Sequence, residues 1–266
     1  MQIKTRELSI VLLDLIGSTR FVQRVGHTKA AEWLQYHDRL TRSLMFKFNG
    51  REIDRSDGFL ISFEETIDAV NFALHYQSTI PRKTRLNTRI GIHVGTVAEV
   101  TQRELDVMVG AKPVELEGVA KNITARVMSL CGSGQVLLTA EAFNAIRNRT
   151  NRDTPRHTRY AQVGLYKFKG VAGARIIYAV GSDIRSLQPP PSSEKAKRIG
   201  GPKAIRSHAR DRRLIEWLMW SLPRLAIISA VYIIAVLWPY LSTHWPPLRF
   251  IVTIVTRVLN DGQATD

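Results

Sequence analysis

Hydrophobic positions in the first 180 residues alternate between short runs that suit strands and stripes that suit helices. Residues Leu8 to Thr19, LSIVLLDLIGST, form an apolar run interrupted by one carboxylate, Asp14, and closed by Gly17-Ser18-Thr19. Such a run, bounded by turn residues, predicts a strand buried on both faces. Apolar residues at helical spacing from Phe21 to Phe48 predict two helices, broken near Gly26-His27-Thr28 and closed by Asn49-Gly50. REIDRSDGFLISF predicts a β-hairpin turning at Ser56-Asp57-Gly58. A helix is expected from about Thr66 to Ser78. A central strand follows over Arg89 to Val97, RIGIHVGTV, whose glycines predict close backbone approach.

The remaining pattern is a loop from about Thr101 to Gly118, a helix over Lys121 to Leu130 and a strand over Gln135 to Thr139. A short helix over Ala140 to Arg147 leads to a last hairpin, with strands around residues 160–168 and 174–180. Helices interspersed with hairpins predict an α+β fold, a mostly antiparallel sheet with helices packed on it, rather than a doubly wound sheet. This folded domain is expected to span residues 1–183.

Beyond it the composition changes. Pro189-Pro190-Pro191-Ser192-Ser193 opens a stretch rich in lysine and arginine, so residues 184–213 read as a basic linker. Leu225 to Leu241 carries no charge, and Trp217, Trp220, Trp238, Tyr240 and Trp245 flank it as an interfacial belt does. Residues 214–245 therefore read as a single-pass transmembrane helix, with a buried soluble helix as the alternative. Residues 246–266 form a short tail, external or interfacial. The basic flank places the N-terminal domain in the cytoplasm, at a bacterial inner membrane.

Charge agrees with that division. The chain of 266 residues carries 38 Lys and Arg against 23 Asp and Glu, a net charge of +15. Because much of the excess lies beside the apolar run, it reads as an inner-leaflet patch rather than a nucleic-acid surface. A single cysteine, Cys131, excludes an internal disulfide and a cysteine metal cluster. The N-terminus lacks the apolar stretch of a secretory signal, so none is expected.

The chemistry starts at Asp14. An ionised carboxylate at the end of a buried strand is costly unless a cation meets it. Gly17-Ser18-Thr19 can aim backbone N–H groups at an anion where a helix opens. A divalent metal between carboxylate and anion would join the two, as in a triphosphate site. Asp57 supplies a second acid, and two such acids on neighbouring strands suit two-metal phosphoryl chemistry. Taken singly, Asp14 also fits a helix cap and Asp57 a turn residue.

The order VLLDLIGSTRFV, SDGFLISF, RIGIHVGTV and GVAKNITARVMSLCGSGQVLLT resembles the catalytic domain of class III adenylate and guanylate cyclases, over about residues 6–181. The resemblance implies a ferredoxin-like cyclase domain. It also implies two Mg²⁺ or Mn²⁺ ions held by Asp14, Asp57 and the Leu15 carbonyl. Gly17, Ser18 and Thr19 would meet the triphosphate. Asn122 would orient the ribose and Arg126 would meet the α-phosphate, from one face of a helix. Lys167 and Lys169 fall where the family places a phosphate-contacting lysine, with Lys169 the choice here. The metal acids and the Asn/Arg pair come from different subunits in that family, which implies a homodimer acting on a nucleoside triphosphate.

At the base-selecting positions the match departs from the family. The candidates are Ile53, Asp54 and Arg55 on the hairpin and Glu115, seven residues before Asn122. None reproduces the pair that selects ATP, nor cleanly the pair that selects GTP. A purine product, cAMP or cGMP, and a pyrimidine product, cUMP or cCMP made in antiphage defence, both stay open. An inactive nucleotide-binding scaffold is the alternative of another class.

Overall fold

The apolar run around Asp14 becomes the middle of β1 (Gln2–Ile16), a strand paired along both of its edges. The structure, a computed structural model, describes residues 1–56, 58–148 and 154–201, together with Leu237. After β1 come α1 (Ser18–Val25), α2 (His27–Lys47), β2 (Arg51–Arg55), β3 (Gly58–Phe63) and α3 (Thr66–Thr84). Next are β4 (Asn87–Thr101), α4 (Glu104–Met108), β5 (Val114–Glu117), α5 (Val119–Leu130) and β6 (Val136–Thr139). The series ends with α6 (Ala140–Ile146), β7 (Arg159–Phe168), β8 (Ala174–Gly181) and β9 (Ala196–Gly200).

These strands form one sheet in the order β2-β3-β1-β4-β6-β8-β7-β9, with β5 added to β4. Every pairing is antiparallel except β4 with β6, so the α+β expectation is met. Period-two alternation divides β1 between two cores. Val11 and Leu13 pack with α3, α6 and Phe59 on one face, whereas Leu8 and Ile10 join Val97, Leu116 and Ala120 of α5 on the other. A third cluster sets Ile123 and Val127 of α5 against Tyr166, Phe168 and Ile177. Both faces of β1 are covered, as an unbroken apolar run requires.

Close approach accounts for Gly91. A Cβ there would overlap the backbone of Met128, so α5 lies directly on β4. Cys131 is buried where α5 ends, and its thiol donates to the Ile90 carbonyl at 3.0 Å. Burial pushes that thiol up to about 12.

Two stretches depart from expectation. The loop predicted over 101–118 holds α4 and β5, which are five and four residues long and too short to show periodicity. The stretch predicted as linker from 184 is folded as far as β9, with a 3₁₀ turn at Ile184–Leu187. Proline lacks an N–H but keeps its carbonyl, and the segment is held through carbonyls. The Tyr166 hydroxyl donates to Pro190 O at 2.9 Å, and the Gln135 amide donates to Ser186 O and Gln188 O at 3.1 and 2.8 Å. Ala196 is wholly buried opposite Phe168.

Among the described residues no helix is long and apolar enough to cross a membrane. The predicted span 214–245, apart from Leu237, and the tail 246–266 lie outside the described residues.

Because β9 completes the domain, a chain ending at Gly201 should melt cooperatively. A chain ending at Asp183 should melt at least several degrees lower, as read by circular dichroism.

Candidate active site

Asp14 sits where the two ladders of β1 part. The ladder with β3 ends at Asp14 opposite Gly58, whereas the ladder with β4 continues to Ile16 opposite Asn87. Past Asp14, therefore, one edge of β1 has no strand beside it among the described residues, and the peptide of Leu15 lies at that edge. Arg89, the direct cross-strand partner of Asp14, donates through Nε and Nη2 to Asp14 Oδ2 at 2.8 and 2.6 Å. Among the described residues the partners of Asp14 all fall on Oδ2, which leaves Oδ1 for a cation. A carboxylate oxygen beside a strand-end carbonyl is a hard donor set that suits Mg²⁺ or Mn²⁺. Sequence reasoning anticipated the need for a cation near Asp14 and missed Arg89; the alternation of RIGIHVGTV was the available signal.

The turn after β1 is built for close approach. Gly17 takes a left-handed conformation (φ 76°) and caps α1 without a side-chain hydrogen bond. The first N–H groups of α1, at Ser18 and Thr19, are thus left to solvent or to an anion.

Asp57 lies outside the described residues, but both its neighbours are described. Gly58 faces Asp14 across the ladder, and a Cβ on it would overlap the Leu13 carbonyl, so only glycine lets β3 start there. On the other side Ser56 O accepts from Arg55 Nη1. Arg55 is anchored in turn to the buried Asp38 of α2, from Nε at 2.9 Å and Nη2 at 3.1 Å. His37 Nδ1 meets Asp38 at 2.9 Å, and its Nε2 meets the Tyr76 hydroxyl at 2.6 Å. Burial opposes the charge on Asp38, but bonds from His37 and Arg55 outweigh it and hold the carboxyl below its usual range. Arg55, an expected base contact, is thereby committed to bracing the hairpin.

Asn122 and Arg126 lie one turn apart on α5, while Ile123 and Thr124 between them and Val127 after them are buried. Asn122 is exposed. Arg126 Nε donates to the carbonyl of Lys169 at 3.2 Å, which joins α5 to the β7–β8 turn. Met128, two residues after Arg126, lies on Gly91, two residues after Arg89, so the C-terminal half of α5 runs toward the end of β4 that carries Arg89. Among the described residues no hydrogen bond or ion pair joins Asp14 to Asn122, Arg126 or Lys169.

Ile53, Asp54 and Glu115 lie together. They line a cleft of about 60 Å³, room for about two waters. Lys112 narrows it through an ion pair to Asp54 at 2.6 Å, and Gln102 donates to Glu115 at 3.2 Å. Lys112 sits in the stretch predicted as loop, which hid it from sequence reasoning.

No family model matches the chain. A serine/threonine-protein kinase, pkn2 of Myxococcus xanthus, is 28% identical over 155 residues, covering 55% of this chain and 17% of that protein. The chain thus spans about a sixth of the length of this relative. Neither His-Arg-Asp nor Asp-Phe-Gly, the sequences that carry kinase chemistry, occurs here. Among solved structures, the adenylyl cyclase CyaB of P. aeruginosa is similar with a TM-score of 0.59 at 16% identity, over 70% of this chain and 100% of that one. The guanylyl cyclase Cya2 gives 0.57 at 19%, over 71% and 100%. The guanylate cyclase domain of RhGC from Catenaria anguillulae, solved with GTP, gives 0.56 at 18%, over 66% and 97%. The chain has the fold of class III cyclase catalytic domains.

Arg55→Met would leave Asp38 buried without its cation. The expected cost is about 3 kcal/mol at neutral pH, measured by urea denaturation. A depressed folded pKa gives stability that is complete above the usual carboxylate range, near pH 4, and is lost as pH falls through the folded value. The gap between wild type and Arg55→Met should therefore shrink below about pH 4.

Proposed function

We propose that this chain, with the fold of a class III cyclase catalytic domain, is a nucleotidyl cyclase. It converts a nucleoside triphosphate to a 3′,5′-cyclic nucleotide and pyrophosphate, as a homodimer. The observation that carries this reading is Asp14, one carboxylate oxygen open, at a strand end beside the uncapped N-terminus of α1.

Asp14, Asp57 and the Leu15 carbonyl would hold two divalent ions, Mn²⁺ or Mg²⁺. Bound there, such ions supply charge neutralisation for the triphosphate and lower the pKa of the ribose 3′-hydroxyl. The remaining work belongs to the chain. The N–H groups of Ser18 and Thr19 bind phosphate oxygens, and Arg89 adds a fixed positive charge beside the same carboxylate. Asn122 orients the ribose. Arg126 stabilises charge that builds at the α-phosphate, and Lys169 neutralises the departing end of the triphosphate.

The resemblance to class III cyclases supports sites shared between two copies, with Asp14 and Asp57 from one and Asn122 and Arg126 from the other. A span at residues 214–245 would confine both copies to one membrane and raise their local concentration. Base choice is referred to Asp54, Lys112 and Glu115, where an acid stands on each strand and the added cation comes from Lys112.

Purified protein with Mn²⁺, incubated with ATP, GTP, CTP and UTP in turn, should yield one or more cyclic monophosphates, identified by mass. Asp14→Ala should lower turnover about a hundredfold or more. Nucleotide binding without turnover on any substrate would replace this reading with that of an inactive scaffold. Mixing inactive Asp57→Ala with inactive Arg126→Ala should restore activity through one intact shared site, and no recovery would count against the dimer.

A further inference from the structure

Along most of the sheet a cation meets an acid. Arg6 and Arg51 meet Glu99, Arg42 meets Glu52, and Lys112 meets Asp54. One end of the sheet breaks this habit. β4 starts there, directly after α3, and β1 finishes opposite it. Ile90 of β4 is level with Val136, Val180 and Tyr160 in successive strands, so β7 starts and β8 finishes at the same end. Arg82, Lys83 and Arg85 stand at the turn from α3 into β4, and Arg156 and Arg159 at the start of β7, all exposed. None of these five has an ion pair among the described residues. The described acids at these strand ends, Asp14 and Asp183, are already met by Arg89 and Arg185.

A helix C-terminus favours cations, which accounts for part of the α3 group. It does not account for Arg156 and Arg159, which lead into a strand. Arg85 takes a left-handed φ of 57°, where glycine is the cheapest residue, yet the position carries a charge. The two groups lie three strand spacings apart, β4 to β7, or about 15 Å. Ile184, in the 3₁₀ turn after β8, is 63% exposed beside them.

We infer that this end of the domain docks on an anionic phospholipid surface. A bilayer face answers cations spread over such a width at once, whereas one small anion reaches only one group. Each lysine or arginine near that surface adds attraction, which salt screens. Ile184 supplies an apolar contact for the boundary between headgroups and acyl chains. The chain also leads this way. β9 runs toward this end as far as Gly200, and between Gly201 and Arg213 the sequence adds five lysines and arginines against one acid, Asp211. The inference uses neither a metal nor a nucleotide, so it stands apart from the cyclase reading.

The test places a fluorophore on the full chain at one introduced cysteine and reads its quenching by vesicles with a headgroup quencher. Ile184→Cys reports this end, and Met108→Cys, exposed on α4 beyond the far end of β4, reports the other. Cys131 is buried and leaves the label specific. In vesicles containing phosphatidylglycerol, the label at 184 should be quenched roughly fivefold more than the label at 108, and high salt should reduce the difference. Arg82→Glu with Lys83→Glu and Arg85→Glu should weaken binding to these vesicles about tenfold or more, and so should Arg156→Glu with Arg159→Glu. Lys4→Glu, on the far half of β1, should change little. Circular dichroism checks that each variant is folded. Equal quenching of the two labels in anionic vesicles, or the same pattern in pure phosphatidylcholine, overturns the inference, because anchoring through residues 214–245 alone would not depend on these charges. A response of the 184 label to duplex RNA but not to anionic vesicles assigns the patch to nucleic acid and overturns it as well.

Discussion

A single charge at the end of a buried strand sets the terms for this domain. Asp14 sits at the end of an apolar run covered on both faces, where an uncompensated carboxylate is too costly to keep. Arg89 meets it from the adjacent strand but takes only one oxygen. The arrangement is therefore compensated without being closed. The domain is arranged to keep it so: β4 begins where it delivers Arg89, β3 begins on a glycine that clears the Leu13 carbonyl, and α1 opens right after the strand on a left-handed glycine with no side-chain cap.

Bracing of the second acid's hairpin comes from further away. Asp38 and His37 on α2, with Tyr76 on α3, form a buried polar group that reaches the hairpin through Arg55. A network of this kind rigidifies when fully satisfied. The helices on that face thus act as scaffold for a turn they do not form. On the other face α5 joins the β7–β8 turn through Arg126, and β9 joins that turn through Lys195. The tail end of the domain is in this way continuous with the end that carries Arg126.

Most of this was legible in the sequence where periodicity was long. The strand around Asp14, the paired helices broken at Gly26, the hairpin turning into Gly58 and the close approach at the glycines of β4 all followed from spacing. Asn122 and Arg126 stand on one helix face, as their i,i+4 separation required. What stayed hidden depends on contacts between distant segments. Lys112 was missed because α4 and β5 are too short to show a period, and Arg89 because an arginine in an alternating strand reads as a solvent-facing residue. The fold of residues 184–200 was obscured by proline-rich composition, since carbonyl acceptors leave no mark on hydropathy. Arg55 was legible as a residue near the hairpin, but its commitment to Asp38 needed the position of α2.

The burial of Cys131 has a practical side. The one thiol in the chain is enclosed beneath α5, hydrogen-bonded to a main-chain carbonyl and kept protonated well above neutral pH. Only the thiolate reacts quickly, so alkylating reagents and mild oxidants have nothing to attack in the native protein. A cysteine introduced at any exposed position becomes a unique handle, open to fluorophores, spin labels or crosslinkers without first removing the natural one.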